Sequence, residues 1–170
     1  MRELARTSEQ SLDVGYLMTD EGTHAIAEPG AARTGAVTVV LADDSDVYRR
    51  VLRRAIEADA RLQLVAEVAD GAAALAAINE LRPDVALLDL QMPALDGVEV
   101  CARVEADPPS WRPRFVLVSS CLSDAVAARA RACGMDHQLD KTTPRREICD
   151  LLAGVAPNGA TEGDGGPRIA

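Results

Sequence analysis

Aromatic residues are scarce in this chain of 170 residues, which contains one Trp, one Phe and two Tyr. Proteins that bind RNA or single-stranded DNA by base stacking need exposed aromatic side chains, so this class is disfavoured. An excess of positive charge is also lacking, because the formal net charge is -9. Nonspecific affinity for nucleic acids comes mainly from Lys and Arg. We therefore expect no direct nucleic-acid partner.

Long apolar runs and paired cysteines are missing as well. No run approaches the ~20 apolar residues of a membrane helix, and no early segment has the pattern of a signal peptide. Cys101, Cys121, Cys133 and Cys149 show neither CxxC pairing nor a His at zinc-finger spacing. This pattern favours small buried thiols in a reduced, cytoplasmic protein with no membrane partner.

Strand and helix patterns alternate five times in the middle of the chain. The predicted strands are Val37–Ala42, Gln63–Val68, Val85–Asp89, Arg114–Val118 and His137–Leu139. The predicted helices are Asp46–Ala58, Gly71–Leu81, Gly97–Ala106, Ser123–Cys133 and Pro144–Val155. Such alternation is typical of βαβ units, in which a parallel sheet carries helices on both faces. The sequence thus predicts a doubly wound α/β fold.

A single domain over residues 36–156 accounts for all of these elements. Residues 1–35 lack sustained periodicity and contain the pair Pro29-Gly30, so we predict a flexible N-terminal extension. The glycine-rich residues 157–170 are predicted to be a disordered tail. Gly134 is predicted to cap the fourth helix.

The first predicted helix carries two stripes of residues. The predicted core-facing stripe is Val47, Val51, Leu52, Ala55 and Ile56. The basic stripe is Arg49, Arg50, Arg53 and Arg54. We interpret the basic stripe as a solvated face, with a docking edge for a partner as the alternative.

Three aspartates stand where buried apolar runs end. Asp43 and Asp44 follow the run 36–42, and Asp89 closes the run 85–88. Parallel strands place their carboxyl ends at one edge of the sheet, where ligands bind. Three carboxylates gathered there repel one another unless a cation holds them together. Oxygen ligands suit Mg²⁺, which predicts a magnesium site that handles a phosphoryl group. The alternatives are a helix N-cap for Asp43-Asp44 and a turn cap for Asp89.

Four segments, in order, resemble the receiver domain of two-component response regulators. They are 39–45 (VVLADDS), 87–97 (LLDLQMPALDG), 116–120 (VLVSS) and 134–136 (GMD) leading to Lys141. The resemblance covers about 37–155. It implies a flavodoxin-like sheet of five parallel strands in the order 2-1-3-4-5, with five helices.

The resemblance also implies a role for each site residue. Asp89 would be the phosphoacceptor, since a carboxylate can attack phosphorus. Ser119 would hydrogen-bond a phosphoryl oxygen, and Lys141 would pair with a carboxylate or phosphoryl oxygen as a point charge. The implied Mg²⁺ ligands are Asp43, Asp44, Asp89 and the main-chain carbonyl of Gln91, with Asp43 often acting through water.

Partners follow from the same resemblance. The phosphoryl donor would be a sensor histidine kinase or a histidine phosphotransfer protein, and output would pass by contacts to an unknown downstream protein. Homodimer formation is left open. The chain would be a signalling domain and not an enzyme, apart from modest self-dephosphorylation. One position departs from the family, because Gln138 stands where Tyr or Phe is common.

Three other functions compete with this stand-alone receiver. The chain could be the receiver portion of a helix-turn-helix transcriptional regulator that lacks its DNA-binding domain. A phosphorylation-independent binding module is disfavoured by the complete set of acids. A metal-dependent phosphatase is disfavoured because Gln91, two residues after Asp89, is not a general acid.

Overall fold

Six strands form one sheet in the computed structural model, which describes residues 24–25, 35–106 and 111–154. The strands are β1 (His24–Ala25), β2 (Val37–Ala42), β3 (Leu62–Val68), β4 (Val85–Asp89), β5 (Arg114–Ser119) and β6 (His137–Asp140). The helices in these ranges are α1 (Asp46–Glu57), α2 (Gly71–Leu81), α3 (Gly97–Ala106), α4 (Asp124–Ala132) and α5 (Arg145–Gly154).

The strand order is β1-β3-β2-β4-β5-β6, and β2 to β6 are all parallel. Counting only these five strands in chain order gives 2-1-3-4-5, so the predicted flavodoxin-like fold is confirmed. The predicted strands and helices agree with the observed ones to within one residue at each end. The last predicted helical residue, Val155, lies outside the described residues.

Strand β1 was not predicted. It lies within the segment interpreted as a flexible extension and pairs antiparallel with β3, His24 opposite Glu67 and Ala25 opposite Ala66. A strand of two residues is too short to show an alternating pattern, so the sequence carried no signal for it. Residues 1–23, 26–34 and 155–170 lie outside the described residues, and the domain ends proposed for the chain stay predictions.

Two apolar layers cover the two faces of the sheet. Along β2, Val39 and Leu41 face one layer while Val40 and Ala42 face the other. The first layer includes buried residues of α1 and α5, and the second includes buried residues of α2, α3 and α4. This double cover explains why the central strands read as unbroken apolar runs.

Helix α1 is rotated relative to its prediction. Val47, predicted to face the core, is 72% exposed, whereas Leu52 and Ile56 are fully buried. The buried stripe includes Arg49 in place of Val47. The interpretation of a wholly solvated basic stripe is therefore wrong at Arg49, which is 7% exposed. Arg50 is exposed, as expected.

The cysteine prediction holds for Cys101 and Cys149, which are buried, and Cys133 is partly buried. It is wrong for Cys121, which is exposed because it lies in the turn after β5 and not in a helix. Gly134 follows α4 with a φ of 88°, which confirms the predicted cap. Among the described residues, no helix is long and apolar enough to cross a membrane.

Candidate functional site

The three aspartates converge at the carboxyl edge of the sheet, as predicted. Strands β2 and β4 are neighbours, and Ala42 lies opposite Leu88, so the acids that follow these residues lie next to each other. Carboxylate oxygens of Asp43, Asp44 and Asp89 all lie within 4.8 Å of one another. Asp43 and Asp89 are buried, whereas Asp44 is exposed.

Lys141 follows β6 and reaches both buried acids. Its Nζ lies 2.7 Å from Oδ2 of Asp43 and 3.0 Å from Oδ2 of Asp89. Its main-chain N–H donates to the carbonyl of Ser119 at 3.0 Å, which fixes the start of the side chain beside β5. Burial alone would lower the pKa of Lys141, but the two carboxylates outweigh it and the pKa is raised. The ammonium therefore stays charged at neutral pH.

Burial raises the pKa of the Asp89 carboxyl, and the negative charge of Asp43 adds to this effect. Lys141 acts in the opposite direction, as does the main-chain N–H of Gln91, which donates to the Asp89 carboxylate. The negative charge of the Asp89 carboxylate is thus only partly compensated. A divalent cation at this edge would supply the missing compensation.

Asp43 is held by its neighbours on both sides. The main-chain N–H of Ser45 donates to Oδ1 of Asp43 at 2.8 Å, and Lys141 occupies Oδ2. The helix N-cap of α1 is Ser45, whose hydroxyl accepts from the N–H of Tyr48. The alternative role of Asp43-Asp44 as the N-cap pair is therefore not supported.

Two close approaches position the loop between Asp89 and α3. A Cβ added at Gly97 would lie 2.3 Å from the carbonyl oxygen of Asp89, so only glycine fits there. Gly71, at the start of α2, donates from its N–H to Pro93 at 3.2 Å. The loop is therefore held in place by the N-termini of α2 and α3. The side chain of Gln91 on this loop is exposed, and its carbonyl remains a predicted ligand.

Ser119 lies at the predicted strand end and is 3% exposed. Residue Val118 pairs with Asp89, so Ser119 stands one position beyond the acid. Its hydroxyl accepts from the N–H of Cys121 at 3.1 Å and also lies 3.3 Å from the carbonyl oxygen of that residue. The predicted hydrogen bond from the Ser119 hydroxyl to a phosphoryl oxygen would replace its contact with the carbonyl of Cys121.

Sequence reasoning missed two residues of this region, both on α1. The guanidinium of Arg49 donates to the carbonyl of Asp43 at 2.7 Å. The ring of Tyr48 lies over Lys141, with the Nζ 4.9 Å from its centroid. Their spacing from Leu52, at three and four residues, was an available signal, because such residues share one helix face.

The acids fit a magnesium ion. Mg²⁺ binds oxygen at about 2.0–2.1 Å in octahedral geometry, so its ligand oxygens lie roughly 3–4 Å apart. The carboxylate oxygens lie within 4.8 Å of one another, so small movements would bring them to these separations. Both oxygens of Asp43 already have partners, whereas Asp44 is exposed to solvent. This difference favours direct ligation by Asp44 and water-mediated ligation by Asp43.

Comparison with known proteins identifies the family. The family model of the response regulator receiver domain matches residues 39–153. A protein-glutamate methylesterase/protein-glutamine glutaminase of Anaeromyxobacter dehalogenans is 36% identical over 129 residues, covering 70% of this chain and 37% of that protein. VraR of Staphylococcus aureus, a response regulator, is 31% identical over 116 residues, covering 68% of this chain and 54% of that protein.

Solved structures agree with this result. The receiver domain of NarL from Mycobacterium tuberculosis is 36% identical and superposes with a TM-score of 0.65, covering 70% of this chain and 98% of that one. The chain spans about half or less of the curated relatives it matches. The matching part contains most of β2, all of β3 to β6, and the site residues Asp43, Asp44, Asp89 and Lys141. The chain therefore belongs to the response regulator receiver family.

Proposed function

We propose that this receiver accepts a phosphoryl group on Asp89, with Mg²⁺, and signals through protein–protein contacts. The donor is a phosphohistidine on a sensor histidine kinase or a histidine phosphotransfer protein. The observation that carries the proposal is the buried pair of Asp43 and Asp89, bridged by the Lys141 ammonium at 2.7 Å and 3.0 Å, beside the open carboxylate of Asp44.

In the proposed reaction, a carboxylate oxygen of Asp89 attacks phosphorus in line with the histidine nitrogen. The new P–O bond forms as the P–N bond breaks, and the imidazole leaves with the electron pair. Bound Mg²⁺ would supply charge neutralisation at the phosphoryl oxygens. Asp44, Asp89 and the carbonyl of Gln91 would hold the ion directly, and Asp43 through water.

Lys141 has a separate task in this proposal. Its ammonium lies beside Asp89 and can donate to a phosphoryl oxygen, compensating negative charge where it develops. Ser119 would donate its hydroxyl to a second phosphoryl oxygen, releasing the carbonyl of Cys121. Asp89 is only 4% exposed, which limits the access of water to the acyl phosphate. The product is a signalling state, with self-dephosphorylation as its only hydrolytic activity.

Phosphotransfer from a small donor tests this proposal. The protein is incubated with Mg²⁺ and acetyl phosphate and weighed intact, alongside Asp89→Asn and the matched control Asp124→Asn, an exposed acid on α4. We expect the parent and the control to gain one phosphoryl mass and Asp89→Asn to gain none. Removal of Mg²⁺ with a chelator should abolish the gain. Equal labelling of the parent and Asp89→Asn would contradict the assignment of Asp89.

A second candidate is the receiver part of a longer regulator, such as one with a helix-turn-helix output. The lengths of the relatives favour it, because 63% of the methylesterase and nearly half of VraR lie outside the match, which covers 37% and 54% of them. The size of the protein in extracts of its source organism, measured by immunoblot, distinguishes the two. A band at the mass of 18.0 kDa supports the stand-alone form.

A further inference from the structure

The ring of Tyr48 lies against the Lys141 ammonium, which also pairs with two carboxylates. The Nζ lies 4.9 Å from the centroid of the Tyr48 ring, within the range of cation–π attraction. The same Nζ is paired with Asp43 and Asp89. The ammonium is thus held by two negative groups and one aromatic face, and the Lys141 side chain is only 16% exposed.

The phenol ring is well placed to act as a fixed surface. Tyr48 lies in the first turn of α1, and its N–H is bonded to the capping hydroxyl of Ser45 at 3.4 Å. The ring is partly buried against the apolar layer of α1 and α5, and its hydroxyl is buried without a hydrogen-bond partner among the described residues. Burial, and then the charge of Asp43, raises the pKa of Tyr48 to about 12, so the ring stays neutral.

Composition adds an independent observation about Lys141. It is the only lysine in the sequence, since the other 17 of the 18 Lys and Arg residues are Arg. All the remaining Lys and Arg positions hold Arg, and position 141 alone holds a compact ammonium. An ammonium is a compact point charge and a guanidinium is a planar fork, so the two are not interchangeable at this position.

The lysine stem is flexible, and holding its ammonium at one point costs side-chain entropy. Two carboxylates leave the ammonium free to swing about the line that joins them. A ring face on one side limits this movement and excludes water from that side. With the Tyr48 ring in contact, the Lys141 side chain therefore loses less conformational entropy when its ammonium binds a phosphoryl oxygen.

We propose that Tyr48 is a positioning residue whose ring holds the Lys141 ammonium between Asp43 and Asp89 and thereby sets the rate of phosphoryl transfer to Asp89. This inference rests on the proposed function and deepens it. The ring is the active part, so Phe should replace Tyr48 and an aliphatic residue should not. The competing account, in which Tyr48 only fills space, predicts that Leu serves nearly as well as Phe.

The first experiment detects the contact without any phosphotransfer. Because the chain has one lysine, lysine labelled with ¹⁵N at Nζ and ¹³C at Cε gives a single set of side-chain NMR signals. In the parent and in Tyr48→Phe, the ring face should shift the Lys141 methylene protons upfield. In Tyr48→Leu that shift should disappear. The control Val47→Ala, which changes an exposed residue that lines one surface cleft together with Tyr48 and Lys141, should leave the signals in place.

The second experiment measures the rate. Acetyl phosphate and Mg²⁺ are added, and the phosphorylation rate constant is followed by intact mass. We expect Tyr48→Leu to be slower than the parent by about 2- to 30-fold, the range implied by a cation–π contact. Tyr48→Phe and Val47→Ala should stay within about twofold. Circular dichroism checks that each variant is folded, and Tyr48→Met replaces Tyr48→Leu if the latter is not.

Each outcome of the two experiments tests a different part of the proposal. An unchanged lysine signal in Tyr48→Leu overturns the contact, and a lost shift with an unchanged rate overturns its role in transfer. A Tyr48→Phe variant as slow as Tyr48→Leu also overturns the proposal, because the ring would then not be the active part. If the parent gains no phosphoryl group, the proposed function fails, and the lysine signals still decide whether Tyr48 holds the ammonium.

Discussion

The guanidinium of Arg49 donates to the main-chain carbonyl of Asp43 at 2.7 Å and is buried beneath α1. The same guanidinium is paired with Glu67 on β3 at 3.3 Å and with Asp46 at the start of α1. One side chain thus joins the first acid of the site, the adjacent strand and the helix that follows. Arg49 fixes the backbone from which the Asp43 carboxylate projects.

Replacing Arg49 by Met should destabilise the protein and weaken the site. The change leaves the Asp43 carbonyl and part of Glu67 without a partner, which we expect to cost about 2–4 kcal/mol of unfolding free energy. Arg49 holds the backbone of Asp43, a predicted Mg²⁺ ligand, so its loss should also lower the Mg²⁺ affinity by about 10-fold or more. Urea denaturation and calorimetric titration with Mg²⁺ measure the two effects.

The matched control is Arg50→Met on the next position of the helix. The Arg50 side chain is 57% exposed and reaches Asp46 at 3.5 Å, so its loss should change stability by less than about 1 kcal/mol. Equal effects of the two substitutions would show that the buried network of Arg49 does not support the site.

Gly97→Ala should displace the loop that carries the residues after Asp89. The added methyl group would lie 2.3 Å from the Asp89 carbonyl oxygen and 3.1 Å from Leu117, so backbone must move. We expect a loss of about 2–3 kcal/mol in urea denaturation. Gly154→Ala, where no atom lies within 4 Å of the new methyl group, is the control and should be neutral or slightly stabilising. A stability equal to the parent would contradict the close approach at Gly97.

Much of the fold follows from the sequence, since apolar runs that end in aspartate define both the parallel strands and the edge where the acids meet. The convergence of Asp43 and Asp89 is a consequence of strand adjacency. The rotation of α1, in contrast, could not be predicted from the sequence. A buried Arg49 is costly unless a partner on another element is in place, and Glu67 becomes that partner only when β3 packs beside α1. The spacing of Arg49 from Leu52 indicates a shared helix face, but no local pattern in α1 shows that a partner on β3 will be in place.

Asp136 should make stability depend on acid pH. Burial raises the pKa of its carboxyl, but the N–H of Phe115 at 2.8 Å and the guanidinium groups of Arg114 and Arg112 outweigh burial and hold the pKa below its usual range. The folded state therefore binds this proton less readily than the unfolded state. The stabilisation is present above the ordinary carboxyl pKa of about 3.9 and is lost as the pH falls through the lower folded value.

Asp136→Asn removes this contribution. At neutral pH the variant should be less stable than the parent by about 2 kcal/mol, because charge-assisted hydrogen bonds are lost. The difference should shrink as the pH falls below about 5, because the unfolded parent then takes up a proton that the folded parent binds only at lower pH. Urea denaturation over this range measures it, with Asp124→Asn as the control for the loss of one negative charge. A difference that stays constant with pH would exclude Asp136 as the source.

Gln138, which stands where the resemblance to the family implies Tyr or Phe, links β6 to α4. Its side-chain Nε2 donates to the carbonyl of Ala127 at 3.1 Å. Helix α4 has a single buried residue, Ala130, so it depends strongly on such contacts. Arg129 adds an ion pair to Asp96 at 2.8 Å, on the loop that follows Asp89. The tether through Gln138 therefore restrains a weakly packed helix that is joined to the site.

Gln138→Leu should loosen α4 without a change of similar size elsewhere. The substitution keeps the side-chain volume and removes one hydrogen bond worth about 1 kcal/mol, so amide hydrogen exchange in α4 should be faster by roughly fivefold. Exchange in α1 should be unaffected, and Gln63→Leu on β3 is the matched control. If α4 exchanges at the parent rate in Gln138→Leu, the bond to Ala127 does not restrain the helix. If it exchanges faster, α4 of this receiver is held by a polar tether whose strength does not depend on the rotation of an aromatic ring.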